Sequence, residues 1–267
     1  MWLFFTLCLP SALAARIDEA ALVWAWPSGL DTAVRVDVEE VVTAGGEARR
    51  RCFSVQARLR TLDGPDGLGV WFADPTDVLP ADECPEFVEL RPHLPPRFAV
   101  AAGAIVSPSP ARETLEFWNR MVGFWAGRTV RRTPEAVRVS RATPALGWEP
   151  NDLETSARLS DVVRKRDEVE VTLDLTPDPA DVTAYFVRLH AAAPELGGVV
   201  GNARLSESVR VVADPLTLVP SLWVETRSVT LEMADPPGSA RRELTTRWTF
   251  GEPSRRGDRK TEPGRTD

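Results

Sequence analysis

The chain has 267 residues and a formal net charge of −7, and its basic residues are dispersed along the whole sequence. Nucleic-acid binding domains cluster their Lys and Arg on one face, so this distribution argues against a nucleic-acid partner. If an N-terminal signal is removed, the length of the remaining chain fits one large β domain or two small ones.

The N-terminus is apolar. MWLFFTLCLPSALAA carries the small-residue pattern Ala12-Leu13-Ala14 before the chain turns polar at Arg16. An apolar run followed by such a pattern is typical of a secretory signal, and it is too short to span a bilayer, which needs ~20 apolar residues. We therefore predict a signal peptide over residues 1–14 and an exported protein, periplasmic or secreted, with no transmembrane span after cleavage. The alternative is a buried N-terminal segment, since the usual basic residues before the apolar run are missing.

Cleavage after Ala14 leaves Cys52 and Cys84 as the cysteines of the mature chain. An even pair in an exported protein predicts one disulfide, which would tie the Pro-rich loop around Cys84 to a strand. Two free buried thiols are the alternative. A metal site is disfavoured, because His93 and His190 are the available histidines and nothing has the spacing of a ligand set. We predict no metal and no cofactor.

Charged residues alternate with apolar ones in the first half of the chain, at the period of two that indicates half-buried strands. Gly45-Gly46 separates two such runs and favours a hairpin turn. A Pro-rich connector follows at 91–110. The predicted strands are TAVRVDVEEVVT (32–43), RCFSVQARLRTL (51–62) and LGVWFA (68–73).

The segment LEFWNRMVGFWAGR (115–128) has the signals of a helix. Ser109 can cap its N-terminus with Pro110 at the first helical position, and Gly127 offers a C-terminal stop. At ~100° per residue, the large apolar side chains share an arc of about 180°, wider than the stripe of an ordinary surface helix. These side chains are Leu115, Phe117, Trp118, Met121, Val122, Phe124 and Trp125.

Three interpretations of this arc are open. The helix can lie across the concave face of the protein's own sheet with its apolar side chains in the core, which we favour. It can also fill a curved sheet only in part, so that Trp118, Met121 and Trp125, together with Phe117, line a cavity for an apolar ligand. A membrane-surface helix is disfavoured, because acidic residues alternate with basic ones on the polar face.

The second half repeats the strand pattern after a predicted loop at 141–161. Its clean alternation is typical of an antiparallel sheet with one wet face. The last stretch, 251–267, has no hydrophobic residue and predicts a disordered tail. We therefore predict that residues 15–250 form one β-rich domain. The alternative is two β halves joined near 91–110. The predicted strands are EVEVTLDL (168–175), TAYFVRLH (183–190), ESVRVVADP (207–215), SLWVETRSVTLEM (221–233) and RRELTTRWTF (241–250).

The closing meander resembles the LolA and LprG-like envelope carriers of lipids and lipoproteins over about a fifth of the chain. The resemblance implies a strongly curved, unclosed barrel wrapped over helices, with an apolar cavity for lipid chains. The chain departs from that group in having one convincing helix and no matching first half. The residues that carry the resemblance are Asp214, Pro215, Thr217, Leu218 and Pro220 at a bend, and Trp248 and Phe250 at the end of the last strand.

The sequence contains no nucleophile elbow, no His-Glu-x-x-His, no phosphate-binding loop and no Cys-x-x-Cys. We predict no catalytic residue, and an enzyme is the least favoured class. The predicted fold is mainly β: a curved antiparallel sheet or half-barrel with one main amphipathic helix packed on its concave face. The predicted function is a non-catalytic envelope protein that binds an apolar or lipidic ligand. The alternative is a structural or protein-interaction domain with a fully packed core and no small-molecule ligand.

Peptide mapping without reductant tests the disulfide. A proteolytic fragment containing Cys52 should be joined to one containing Cys84, and the two should separate on reduction. The bridge closes a loop of about 30 residues and should contribute roughly 3–4 kcal/mol to the free energy of unfolding. Free thiols at both positions would contradict the prediction.

Overall fold

The computed structural model describes part of the chain. The predicted signal peptide (1–14) and the tail beyond Gly251 lie outside the described residues. The described ranges are 19–21, 23–78, 84–106, 111–123, 129–131, 137–145, 148–164, 168–192 and 198–251.

Most described residues lie in strands. The strands are β1 (Glu19–Ala21), β2 (Asp31–Ala44), β3 (Glu47–Gly64), β4 (Gly67–Val78), β5 (Phe98–Ala101), β6 (Ala104–Ile105), β7 (Thr129–Arg131), β8 (Val137–Ala145), β9 (Trp148–Arg164), β10 (Val169–Pro177), β11 (Val199–Ala213), β12 (Pro220–Asp235) and β13 (Pro237–Phe250). The helices are a 3-10 turn (Val88–Leu90), α1 (Arg112–Trp118) with a π-helical continuation (Asn119–Gly123), and α2 (Pro179–Ala192).

The described strands form one large, curved, open sheet of eleven strands and a small sheet that pairs β1 with β7. The order in the large sheet is β6-β5-β4-β3-β2-β13-β12-β11-β10-β9-β8, and every neighbouring pair is antiparallel. The first and last long strands, β2 and β13, pair from Val34↔Phe250 to Ala44↔Ala240. This pairing joins the strands before and after the connector into one surface, and the predicted mainly β class is confirmed.

The alternation in β2 places its valines inward, as predicted. Val34, Val36 and Val38 are buried, whereas the residues between them are partly exposed. The hairpin between β2 and β3 turns at Gly45 and Gly46, whose φ angles are 59° and 85°. Two successive positive φ angles are what a tight hairpin turn requires, and glycine adopts them without steric cost.

The aromatic helix packs on the inner, concave face of the sheet, as predicted. The Trp118 ring meets Trp24, Trp26 and Phe98 edge-to-face at centroid distances of 6.1, 5.3 and 5.6 Å. Its indole Nε1 donates a hydrogen bond to the Gly103 carbonyl at 2.8 Å. The Trp118 ring is therefore buried, and its indole N–H has the hydrogen-bond acceptor that a buried tryptophan usually finds.

The bend that carries the resemblance to envelope carriers is a turn with a structural task. The Asp214 carboxylate accepts hydrogen bonds from the backbone N–H groups of Leu216 and Thr217, both at 2.8 Å. The turn places Leu218 at a φ of 61°, fully buried. The Leu218 carbonyl accepts a bond from the Trp26 indole at 3.0 Å. The bend thus fixes the segment before β2 against the end of β11.

The prediction of a strand at 183–190 is wrong, because this segment belongs to helix α2. The physical reason is a helical period: Val182, Tyr185, Phe186 and Leu189 are all buried, at spacings of three and four. Asp178 caps the helix by accepting a bond from the Ala180 N–H at 2.8 Å. The buried stripe packs on Val200, Ala203 and Leu205 of β11, with Val229, Leu231 and Met233 of β12 alongside.

The loop predicted at 141–161 is also wrong, because β8 and β9 occupy most of it. Turn-forming residues such as Pro144 and Pro150 favour a loop, but the backbone of β9 pairs with β10 on one side and β8 on the other. Partner strands on both sides outweigh local propensity. In the same way, the connector predicted at 91–110 contains the short strands β5 and β6.

Replacing Trp118 tests whether the helix is part of the core. Trp118→Ala should lower the free energy of unfolding by about 3–5 kcal/mol, because it removes a large buried ring and leaves a cavity. Trp71→Ala is the matched control, since Trp71 is only partly buried and its ring faces the Arg97 guanidinium. Denaturant unfolding should show a much smaller loss for the control. Equal losses would contradict a core position for the helix.

Candidate functional site

The strand registers align the inward-facing side chains in rows that cross the sheet. One row is apolar and consists, from β3 to β11, of Val55, Val36, Trp248, Trp223 and Val211. Four residues further along each strand, roughly 13 Å away, a second row is mostly charged. This charged row consists of Arg51, Glu40, Leu244, Arg227 and Glu207.

Three aromatic rings form the apolar end of a cleft on this face. Trp223 and Trp248 stack at a centroid distance of 5.2 Å and an interplanar angle of 21°. Phe117, from α1, meets them edge-on at 5.1 and 5.3 Å. We call Phe117, Trp223 and Trp248 the aromatic floor. Ring pairs in these geometries stabilise each other beyond the area that they bury.

At the other end of the cleft, two guanidinium groups contact one carboxylate. Arg242 Nε lies 2.5 Å from Glu40 Oε1, and Arg51 Nε lies 3.2 Å from Glu40 Oε2. The Glu40 side chain is 4% exposed, whereas those of Arg51 and Arg242 are 36% and 27% exposed. We call this the Arg51–Glu40–Arg242 triad. A buried carboxylate is tolerated only with such partners, because an unpaired buried charge is costly.

A second set of charges lies beside the triad on the same face. Arg227 pairs with the Glu207 carboxylate, whose side chain has no exposed surface, and also contacts Glu225 at 3.5 Å. Arg120, from the π-helical turn, pairs with Glu225. Because Arg120 belongs to the same short helical segment as Phe117, this pair also holds the helix against β12.

A loop held by the disulfide forms one wall of the cleft. Cys52 and Cys84 are joined, as predicted, with their Cα atoms 5.8 Å apart. The Cys52 N–H donates to the Pro85 carbonyl at 3.0 Å, and the Phe87 N–H donates to the Cys52 carbonyl at 2.9 Å. The Arg51 guanidinium lies over the Phe87 ring, 4.2 Å from its centroid. The covalent bridge, two backbone bonds and a cation–π contact together fix this wall.

The floor, the charged residues and the wall enclose a cleft of about 690 Å³. Its lining combines apolar side chains with charges of both signs, and the arginines outnumber the carboxylates. The lining residues are Val38, Glu40, Arg51, Phe87, Glu89, Leu90, Arg91, Pro92, His93, Pro95, Phe117, Arg120, Trp223, Glu225, Arg227, Arg242, Leu244, Thr246 and Trp248.

One polar group of the aromatic floor lacks a hydrogen-bond partner among the described residues. Trp223 is 2% exposed, and its indole N–H has no hydrogen-bond acceptor within the described part of the chain. A buried donor without an acceptor costs free energy, roughly 1–3 kcal/mol.

The four residues predicted to bind a ligand have different positions. Phe117 lines the cleft as part of the aromatic floor. Trp118 and Met121 are almost fully buried in the core. Trp125 lies outside the described residues. The ligand-binding role of these residues stays a prediction.

The charged residues of the cleft were not singled out from the sequence, although one signal was available. Glu40 occupies the same alternating positions of β2 as Val36 and Val38, so it interrupts the apolar face. Glu207 does the same ahead of Val209 and Val211 in β11. A carboxylate on the valine side of a strand predicts a buried ion pair.

Two further properties concern metals and membranes. Within the described ranges, His, Cys, Asp and Glu side chains form no group of three or more that could hold a metal ion. Of the helices described in this structure, none combines the length and apolarity needed to cross a membrane.

An open, curved antiparallel sheet with an amphipathic cleft on its inner face thus defines the class of this protein. No protein-family model matches the chain, and no curated protein does, so the resemblance of the meander to LolA-type carriers gains no support from them. Among solved structures, the chain is similar to one described as "lipid-protein interactions in lipovitellin", with a TM-score of 0.48 and 10% identity, over 90% of this chain and 26% of that chain. The chain spans about a quarter of lipovitellin's length. Similarity at this level does not define a shared function.

Removing Arg227 tests whether the charged row is a structural requirement. Arg227→Met should lower the free energy of unfolding by about 1–3 kcal/mol, because it removes one hydrogen-bonding partner of the buried Glu207 carboxylate. The double variant Arg227→Met, Glu207→Leu should recover most of that loss. Arg241→Met is the control, since Arg241 pairs with Glu243 on the exposed face, where an ion pair contributes about 0–1 kcal/mol. A loss for Arg227→Met no larger than the control's would show that the pair is dispensable.

Proposed function

We propose that this chain is an exported, non-catalytic protein that binds a small amphipathic ligand in the cleft on the concave face of its sheet. The observation that carries the proposal is the cleft itself, about 690 Å³ in volume with an aromatic floor at one end and charged side chains at the other. Small-molecule sites in proteins have volumes of roughly 300–1,000 Å³ and combine apolar walls with a few polar groups.

The apolar part of the ligand would lie on the aromatic floor. Phe117, Trp223 and Trp248 present rigid rings, and Leu244 and Val38 extend the apolar surface. Burial of an alkyl chain there contributes about 0.8 kcal/mol per methylene. In this proposal Phe117 contacts the ligand, while Trp118 and Met121 hold the helix in place from the core.

The disulfide supports the exported part of the proposal. Structural disulfides persist in oxidising compartments such as the periplasm and the extracellular space. The bridge between Cys52 and Cys84 is consistent with such a location and with the predicted signal peptide. It also has a use in the site, because it holds the wall that contains Phe87.

The alternative function, a structural or interaction domain with a fully packed core, is less favoured. A fully packed core leaves no space between the helix and the sheet. The cleft beside Phe117 instead leaves Thr246, in the middle of β13, among the lining residues. A ligand can approach the sheet closely at a small polar side chain such as that of Thr246.

Filling the cleft tests the proposal. Thr246→Trp should reduce the affinity for decyl phosphate and for decanol at least tenfold, because the larger ring occupies the space between the aromatic floor and the triad. Isothermal titration calorimetry below the aggregation concentration of each probe measures the affinities.

Thr245→Trp is the matched control, because Thr245 is the neighbouring residue and faces the opposite side of β13. It adds the same side chain outside the cleft and should bind both probes as the unmodified protein does. Binding of neither probe by the unmodified protein, or equal losses in the two variants, would contradict the proposed function.

A further inference from the structure

We propose that the charged end of the cleft is an oxyanion site, in which Arg51 and Arg242 bind the phosphate or carboxylate headgroup of the amphiphile. This inference rests on the proposed function and names the chemistry of the ligand's head. It starts from the balance of charges around the cleft.

Most arginines around the cleft are matched by a carboxylate of their own. Arg120 pairs with Glu225, and Arg227 pairs with Glu207. The third pair joins Arg91 on the wall to Asp77 of β4 at 2.9 Å. Each of these pairs sets one guanidinium group against one carboxylate.

The triad differs because it combines two guanidinium groups with one carboxylate. Among the described residues, Glu40 is the carboxylate that pairs with both Arg51 and Arg242. The triad therefore carries one positive charge in excess, in a chain whose formal net charge is −7. Glu89 also lines the cleft, but it is exposed, and an exposed charge acts more weakly than a buried one because the surrounding water has a high dielectric constant.

The burial of the three side chains directs this charge toward the cleft. Glu40 is 4% exposed and lies beneath the two arginines, whose side chains are about one third exposed. Arg51 is further held by the Phe87 ring, at 4.2 Å. The guanidinium groups are thus fixed before a ligand arrives, which reduces the entropy lost on binding.

An oxyanion fits this arrangement by its geometry as well as its charge. Guanidinium groups present paired N–H donors that match the oxygens of phosphate and carboxylate. Along β13, the inward residues run from Trp248 through Thr246 and Leu244 to Arg242, a span of roughly 20 Å. A single alkyl chain on the aromatic floor can therefore place its headgroup between the two arginines.

Calorimetric titration with three probes tests the inference: decyl phosphate, decanol and inorganic phosphate. The unmodified protein should bind decyl phosphate at least about tenfold more tightly than decanol, the effect of one charge-assisted hydrogen bond. Arg242→Gln and Arg51→Gln should each reduce or remove that difference. Each variant leaves Glu40 with one arginine, and circular dichroism checks that it is folded.

The controls are the neighbouring arginines on the opposite face. Arg241→Gln and Arg50→Gln remove the same charge from residues that pair with Glu243 and Glu39, outside the cleft. Both should keep the preference for decyl phosphate. Loss of preference in the controls as well would show a general charge effect and would overturn the oxyanion site.

The outcomes separate this inference from the function on which it rests. Equal affinities for decyl phosphate and decanol would overturn the oxyanion site and leave the amphiphile cleft standing. Inorganic phosphate that binds as tightly as decyl phosphate would retain the anion chemistry and overturn the amphiphilic ligand. Binding of none of the three probes would overturn both proposals.

Discussion

Two carboxylates, Glu40 and Glu207, point into the inner face of a β-sheet, and the need to neutralise them organises the surrounding structure. A buried carboxylate is stable only beside cations and donors. The sheet meets this requirement with Arg51, Arg242 and Arg227, each on a strand directly beside the acid it serves. Across five strands the result is a charged row that separates the aromatic cluster around α1 from the apolar cluster under α2.

This row also explains why the inner face can hold a cleft. The aromatic helix covers the apolar rows beside it. If an apolar helix also covered the charged row, the arginines would lose their hydrogen bonds to water and gain none in return. Within the described part of the helical segment, Arg120 reaches the charges by pairing with Glu225. The loop held by the disulfide stands on the far side of the triad, with Phe87 against Arg51. Between helix and loop, the aromatic floor and the triad face the same space.

The sequence predicts the parts of the fold that depend on local patterns. The valine alternation of β2, the Gly45-Gly46 turn and the Cys52–Cys84 bridge all follow from spacing and residue type. The structure of segment 183–190 does not follow from its local pattern, because a short apolar run fits both a strand and a helix. Tyr185, Val187 and Leu189 have the spacing of a strand. Val182, Phe186 and Leu189 have the spacing of a helix. The strands at 137–164 depend on neighbours that the local sequence does not contain. The triad is hidden for a similar reason, since pairing Arg242 with Glu40 requires β2 and β13 to meet in one register.

Native mass spectrometry of the protein, purified without detergent and then incubated with decyl phosphate, tests the central claim most directly. If the inner face of the sheet holds an amphiphile between the aromatic floor and the triad, the protein should retain one ligand per chain. Thr246→Trp should abolish the added mass, and Thr245→Trp should keep it. A spectrum that shows only the unliganded chain for the unmodified protein, or the same added mass for Thr246→Trp, would contradict the account.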